Sequence, residues 1–83
     1  MTDMKRIGLT VNPDDNVTTL LDFQVDAPVT QDGLRVARGV PFGHKVARRR
    51  IIRGEAVIKY GVEIGVATAD IESGEHVHVH NCQ

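Results

Sequence analysis

Hydrophobic residues in this chain form short runs separated by turn-forming residues. Clusters of Gly, Pro, Asn, Asp and Ser recur at close intervals, as in NPDD at 12–15 and SGE at 73–75. Between the turns, the runs with the length and composition of strands are 7–11, 17–25, 34–40, 45–48, 56–60, 62–67 and 76–80. Val62, Ile64 and Val66 alternate with other residues, which is the period of a half-buried strand. The pattern predicts a mostly β domain of short strands.

Helical periodicity is weak throughout the chain. Only TTLLDF at 18–23 has the composition of a helical turn or a short helix, and no segment sustains a 3.6-residue repeat. We therefore expect at most one or two short helices.

An internal repeat is more specific than these periodicities. Residues 46–57 and 66–77, VARRRIIRGEAV and VATADIESGEHV, match at a constant offset of 20 residues, with six identical positions in twelve. Each copy reads as a strand ending in Val-Ala, a turn anchored by a buried Ile, and a Gly that lets the backbone reverse before a second strand. Two copies are too few for a repeat array, so the match predicts a pseudo-twofold pair of interlocked hairpins.

Composition narrows the class of protein further. With 83 residues, no Trp, one Tyr and two Phe, we expect a single domain, residues 1–83, whose core is built from small aliphatic side chains. Such a domain gains stability from a partner surface as well as from its own core. One cysteine excludes an intrachain disulfide and indicates a reducing compartment. Neither a signal peptide nor an 18-residue apolar span is evident, so we expect a cytoplasmic protein that makes no contact with membranes.

Charge is distributed unevenly although the net charge is only −1. Residues 33–59 carry eight basic and one acidic side chain, between two acidic flanks. A basic middle can attract an anionic ligand or simply interleave with the acidic residues and solvate the surface. Nucleic-acid binding is disfavoured because the arginines lack interleaved aromatic residues and a recognition helix. An acidic partner surface is the better interpretation.

Three histidines alternate near the end of the chain, in GEHVHVHN at 74–81. On a strand, His76, His78 and His80 would share one face. Neighbouring pairs would lie about 7 Å apart and the outer pair about 13 Å apart, so one straight strand cannot bring all three to one ion. Two of them can bind a metal ion at an open site that another strand or chain completes. Alternatively, all three form an exposed polar face.

A second polar cluster follows a rigid turn in PFGHKVARRR at 41–50. His44 can act as an acid or base near neutral pH, and Lys45 can donate hydrogen bonds to carboxylate or phosphate oxygens. Lys59, at the end of EAVIKY, belongs either to the same cluster or to an unrelated surface.

Four sequence blocks, GHKVA, GEAVIKYG, IGVAT and GEHVHVHN, occur in an order and spacing that resemble a known family. Between about residues 14 and 81 the chain is similar to the N-terminal domain of altronate and galactarate dehydratases, a SAF domain with a β-clip fold. The resemblance implies β-elimination of water from a sugar acid to give a 2-keto-3-deoxy acid. It also implies a divalent metal, Fe²⁺ or alternatively Mn²⁺, and a separate large catalytic subunit that shares the metal. A chain of this kind would be inactive alone.

The resemblance and the chemistry together give a set of site residues. β-Elimination needs a base, an acid or metal at the leaving hydroxyl, and a cation for the carboxylate. We assign His44 and Lys45 as catalytic, Lys59 and Asn81 as substrate-binding, and His78 and His80 as metal ligands.

Three functions remain open from the sequence. The first is the small subunit of a sugar-acid dehydratase, and the second is the small subunit of a sulfolactate sulfo-lyase, which expels sulfite. The third is a non-catalytic module for sugar-acid binding or assembly. With any of the three functions, the SAF domain can also form a homo-oligomer. An enzymatic site requires His44 and the His78–His80 face to lie close together, whereas an assembly module does not.

Overall fold

The computed structural model describes residues 4–83 and shows an all-β fold built from antiparallel strands. The strands are β1 (Gly8–Leu9), β2 (Val17–Leu20), β3 (Lys45–Ala47), β4 (Ala56–Lys59), β5 (Val62–Val66) and β6 (His76–Val77). Four of them form a sheet in the order β1-β2-β3-β6, and β4 and β5 form a separate hairpin. The described residues contain no helix, and so none that could cross a membrane. The mostly β prediction is confirmed.

Two predicted elements are wrong. The segment 18–23 continues β2 to Leu20 and then bends, and its Asp22 carboxylate accepts hydrogen bonds from the backbone N–H groups of Ile7 and Gln24, which holds the bend. The segment 34–40 is a loop and not a strand, apart from one bridge between Arg35 and Val29. It looked like a strand because its valines are apolar, and they are buried within the loop.

Small aliphatic side chains form the interior, as the composition predicted. One cluster packs between the sheet and the hairpin and contains Val17, Ala47, Ile51, Val57, Ala67, Ile71 and Val77. A second cluster lies against the other side of the sheet and contains Leu20, Val36, Val40 and Val46. Because residues alternate between the two faces of a strand, neighbouring β3 residues Val46 and Ala47 belong to different clusters.

The internal repeat is a structural pseudo-twofold. At its centre, Ile51 and Ile71 exchange backbone hydrogen bonds of 2.8 and 2.7 Å, and both side chains are fully buried. Each Val-Ala strand end then bonds to the Gly-Glu of the other copy: Ala47 N–H to the Glu75 carbonyl and Ala67 N–H to the Glu55 carbonyl, both at 2.9 Å. The two copies are therefore interlocked, as predicted from the sequence match.

The alternating apolar residues of β5 have a different environment from the one their period predicts. Val62, Ile64 and Val66 are 62%, 44% and 39% exposed, although one face of the strand was expected to be buried. The period identified the strand correctly, but β4 is the only strand beside β5, and no other element of the described chain covers this apolar face.

Candidate functional site

The register between β3 and β6 determines where the histidines lie. Val46 is opposite His76 and Lys45 is opposite Val77. Continuing this antiparallel register by one residue beyond each strand places His44 opposite His78. Opposed residues of an antiparallel pair point to the same face. His44, His76 and His78 therefore meet on one face at the open end of the strand pair.

These three half-buried residues form what we call the histidine cluster. The ring centroids of His44 and His78 lie 4.5 Å apart, and those of His44 and His76 lie 5.1 Å apart. His44 Nδ1 and His76 Nε2 are separated by 2.9 Å, a hydrogen-bond distance. One ring nitrogen from each of the three residues can be chosen so that all lie within 4.8 Å of one another. The cluster thus combines residues from two segments that the sequence separates by more than 30 positions.

A turn held by Asn81 shapes the other side of the cluster. The predicted strand 76–80 ends at Val77, and the chain turns over residues 78–81. The Asn81 side chain, which is buried, accepts a hydrogen bond from His78 N–H and donates one to the His76 carbonyl, both at 2.9 Å. The Asn81 amide thus holds the backbone of two cluster residues, and its contact with substrate stays a prediction.

The same turn moves His80 away from its expected position. Its ring centroid is 5.6 Å from that of His76, much less than the spacing on a straight strand, but His80 is exposed and does not belong to the group of nitrogens that meet. The structure therefore brings together His44, His76 and His78, whereas the sequence predicts a metal-binding pair of His78 and His80.

The two predicted lysines lie at different ends of β2. Lys45 follows His44 directly, and Leu20, at one end of β2, donates a backbone hydrogen bond to the His44 carbonyl. Lys59 precedes the turn at Gly61, whose N–H bonds to Asp15 just before the other end of β2. Because a strand rises about 3.3 Å per residue, the two ends are more than about 10 Å apart. Lys45 therefore lies at the end of β2 that carries the cluster, on the opposite face of the strand from His44, and Lys59 lies at the other end.

Electrostatics favour the neutral form of His76 and His78. Partial burial and the neighbouring His44 lower the pKa of His76 and His78 below the usual histidine value, and the charge of Lys45 acts in the same direction. Neutral imidazole is the form that accepts a proton or binds a metal. The lowered pKa values of His76 and His78 therefore favour the form of these two rings that can accept a proton or bind a metal.

Comparison with known protein families agrees with this architecture. Residues 7–83 match the model of the altronate/galactarate dehydratase SAF domain. The chain belongs to this family. The match extends further towards the N-terminus than the four blocks that first indicated it.

Curated relatives of this SAF domain are named as two kinds of enzyme. The (2R)-sulfolactate sulfo-lyase subunit alpha of Chromohalobacter salexigens is 52% identical over 46 residues, covering 55% of this chain and 49% of the relative. The protein of that name from Paracoccus pantotrophus is 50% identical over 44 residues, covering 53% and 66%. Altronate dehydratase of Escherichia coli is 46% identical over 70 residues, covering 81% of this chain but 14% of that enzyme.

His76 is the cluster residue that the sequence analysis left without a role. Its position became evident only with the pairing of β3 and β6, which sets it beside His44. The repeat contained the necessary signal. When two interlocked copies exchange strands, the first strand of one copy pairs with the second strand of the other. Here β3 of the first copy pairs with β6 of the second copy, which places residue 76 opposite residue 46.

Proposed function

We propose that this SAF domain is one component of a lyase that eliminates water from a sugar acid such as altronate or galactarate, giving a 2-keto-3-deoxy acid. The observation that carries the proposal is the grouping of His44, His76 and His78 at one open end of the sheet, where Lys45 follows His44 in the chain. The reaction class comes from the family to which the chain belongs. A module that serves only assembly has no need of such a group.

The residues of this end match the requirements of β-elimination. In the proposal, the Lys45 ammonium binds the substrate carboxylate and stabilises the negative charge that develops when the α-proton leaves. The histidine cluster faces the leaving hydroxyl, where a bound divalent ion, Fe²⁺ or Mn²⁺, would supply Lewis acidity. We assign His44 to the leaving hydroxyl together with His76 and His78, because its Nδ1 lies within hydrogen-bond distance of His76 Nε2. The base that removes the α-proton then comes from the partner chain.

Exposed apolar residues beside the cluster support a partner chain at this end. Phe42, two residues before His44, is 49% exposed and stacks on Phe23, which is 78% exposed, with 4.9 Å between the ring centroids. Val79, between His78 and His80, is 79% exposed. Aromatic and aliphatic side chains around a polar site are typical of protein interfaces. We propose that a large catalytic subunit covers them and closes the active site.

A second reaction is supported by a specific observation. The two sulfo-lyase alpha subunits are 52% and 50% identical to this chain in the aligned segments, and the word subunit in their names implies an enzyme of more than one chain. Elimination of sulfite from sulfolactate also needs a cation that binds the substrate carboxylate and a group that assists the leaving sulfite. In the proposal, the large subunit selects the leaving group.

The test is to co-express the chain with a large-subunit homologue, purify the complex, and assay elimination from altronate, galactarate and sulfolactate. We expect activity on one of the three acids and a loss of about 100-fold in kcat/KM for Lys45→Ala, as for removal of one charge-stabilising donor. Lys59→Ala is the matched comparison, and its effect should be small because Lys59 lies away from the cluster.

Two results would contradict the proposal. A stable complex that eliminates from none of the acids would favour the assembly module. Equal losses for the two lysine variants would show that the end of the sheet carrying the histidines is not the active site.

A further inference from the structure

We infer that His44, His76 and His78 together bind one first-row divalent metal ion within this chain, without a ligand from any partner. The inference rests on the proposed function and deepens it by assigning three nitrogen ligands on this chain. The ligand pair predicted from the sequence was His78 and His80; here His44 and His76 replace His80. It is tested by metal binding and not by turnover, so its failure and the failure of the proposed function are distinguishable.

The nitrogen positions are close to those of a metal site. Two nitrogens bound at right angles, each about 2.1 Å from a metal, lie about 3.0 Å apart. His44 Nδ1 and His76 Nε2 already lie 2.9 Å apart, and the His78 nitrogen completes a group within 4.8 Å. Metal binding therefore requires rotation of side chains and loss of the proton shared by His44 and His76, without movement of the strands.

The backbone fixes the positions from which these rings extend. His76 lies within β6, His44 directly precedes β3, and the two strands are paired. His78 lies in the turn, where the buried Asn81 amide binds its N–H. Ligands held by a sheet and by an outer hydrogen bond lose little freedom when they bind a metal. This preorganisation distinguishes the cluster from three histidines that share a flexible surface.

The internal repeat shows that the fold itself does not require these histidines. At an offset of 20 residues, the positions equivalent to 44, 76 and 78 are Ile64, Ala56 and Ile58. The inner residues of the equivalent strand pairs have the same register, since Ala56 is opposite Val66 as His76 is opposite Val46; the hairpin register then shifts between Val57 and Ile58. The β4–β5 hairpin thus has three aliphatic residues at the sequence positions where the β3–β6 end has three imidazoles. The imidazoles are an addition to the framework, and they are concentrated at one point.

The donor set determines which metals fit. Imidazole nitrogens suit Zn²⁺, Fe²⁺, Co²⁺ and Ni²⁺, whereas Mg²⁺ and Ca²⁺ prefer oxygen ligands. Within the described part of the chain, the group that meets at this point consists of histidines alone, with no carboxylate. Three protein ligands also leave coordination positions open, which is the arrangement of a catalytic site and not of a closed structural site. Because the cluster lies at the open end of the sheet, an ion held there would be accessible to the oxygens of a hydroxy acid.

The experiment is a calorimetric titration of the full 83-residue chain, freed of metal, with Co²⁺ and with Zn²⁺. We expect one ion per chain and a visible d–d absorption for the Co²⁺ form. Imidazole ¹⁵N NMR with diamagnetic Zn²⁺ should show three shifted histidines, with His80 unchanged. Mg²⁺ under the same conditions should give no binding signal.

Single substitutions identify the ligands. We expect Co²⁺ binding to weaken by more than about 10-fold in each of His44→Asn, His76→Asn and His78→Asn. Loss of a residue that only supports a ligand already weakens metal binding by about 10-fold or more, and loss of a ligand should have a larger effect. His80→Asn is the matched variant, drawn from the same turn, and it should bind Co²⁺ as the unchanged chain does. Thermal unfolding of each variant in the presence of a chelator verifies that it is folded before its affinity is compared.

Three outcomes would overturn the inference. One is the absence of Co²⁺ and Zn²⁺ binding by the folded chain. Another is a loss for His80→Asn equal to that for His44→Asn, which would restore the pair predicted from the sequence. The third is metal binding by the chain while the His44 and His76 imidazole signals stay unshifted.

Discussion

The β3–β6 pair and the β4–β5 hairpin are two versions of one structural unit, related by the internal pseudo-twofold. They share their register near the centre, where Lys45 faces Val77 in one copy and Gly65 faces Val57 in the other. Farther out they diverge. The hairpin continues past a register shift between Val57 and Ile58 and closes at a tight turn. The other pair ends early, and the residues just beyond the two strands are histidines.

This difference shows how a symmetric framework acquires one asymmetric site. In the hairpin, the strands extend and present aliphatic side chains to the surface, with Ile64 44% exposed. In the other copy, early strand termination and the turn at Asn81 bring His44 and His78 into ring contact. The central residues of the repeat therefore maintain the fold, and the outer residues of each copy determine what that end contacts.

The largest effect is expected at the centre. Ile51 and Ile71 are both fully buried and face each other across the pseudo-twofold. Ile51→Ala and Ile71→Ala should each lower the free energy of unfolding by about 2–5 kcal/mol, from lost burial and the resulting cavity. Urea denaturation measures both values. Similar losses are expected because the environments are equivalent, and a large loss at only one position would show that they are not.

A smaller effect is expected at the two turns, residues 81 and 61, which are equivalent in the repeat. Asn81→Ala removes the acceptor for His78 N–H and should cost about 1–3 kcal/mol. Gly61→Ala places a side chain at a φ of 76°, 2.7 Å from Asn12 Nδ2, and should cost about 1 kcal/mol or more.

Metal binding separates these two variants. Only Asn81→Ala should also weaken Co²⁺ binding in calorimetry, because only that turn positions a cluster residue. If Asn81→Ala retained wild-type Co²⁺ affinity, Asn81 would have no part in positioning the cluster.

The smallest effect concerns Glu55 and its repeat counterpart Glu75. Each accepts a backbone N–H hydrogen bond at 3.0 Å, from Ile52 and Glu72 respectively, but Glu55 also binds Arg49. The Arg49 hydrogen bond, together with that backbone bond, lowers the pKa of Glu55 below its ordinary value of 4.5. Since the folded pKa is depressed, this stabilisation is present above pH 4.5 and is lost as the pH falls through the folded pKa.

Glu55→Gln should therefore remove about 0–1 kcal/mol at neutral pH, typical of a partly exposed ion pair, and flatten the acid limb of the stability profile. Urea denaturation across the acid range measures this limb. Glu75→Gln is the control, because it removes a carboxylate at the equivalent backbone position. An unaltered acid limb in Glu55→Gln would show that the Glu55 carboxylate does not contribute to stability as predicted.

Sequence alone predicted the parts of the molecule that depend on local pattern. The repeat at an offset of 20 residues gave the pseudo-twofold and its buried isoleucines, and alternation located β5. The loop at 34–40 was mistaken for a strand because burial in a loop and burial in a strand select the same apolar residues. The exposure of Val62 was missed because periodicity identifies the two faces of a strand but not whether another element covers either of them.

The candidate site was only partly accessible for a related reason. His44 and His78 were recognised as chemistry-bearing residues, but their contact depends on the register of β3 and β6. The expected distance between His76 and His80 assumed a straight strand, and a buried Asn81 side chain bends the chain there instead. Lys59 and Lys45 are both basic residues near apolar strands, and only the three-dimensional order of the strands separates them.

The most direct test of the separation between framework and site gives the histidine end the residues of its symmetric counterpart. The triple variant His44→Ile, His76→Ala, His78→Ile is titrated with Co²⁺ by calorimetry after its β-rich circular dichroism has been verified. We predict a folded chain whose free energy of unfolding lies within about 1 kcal/mol of the original, and no Co²⁺ binding. A folded variant that still bound Co²⁺, or a variant that failed to fold, would contradict the account.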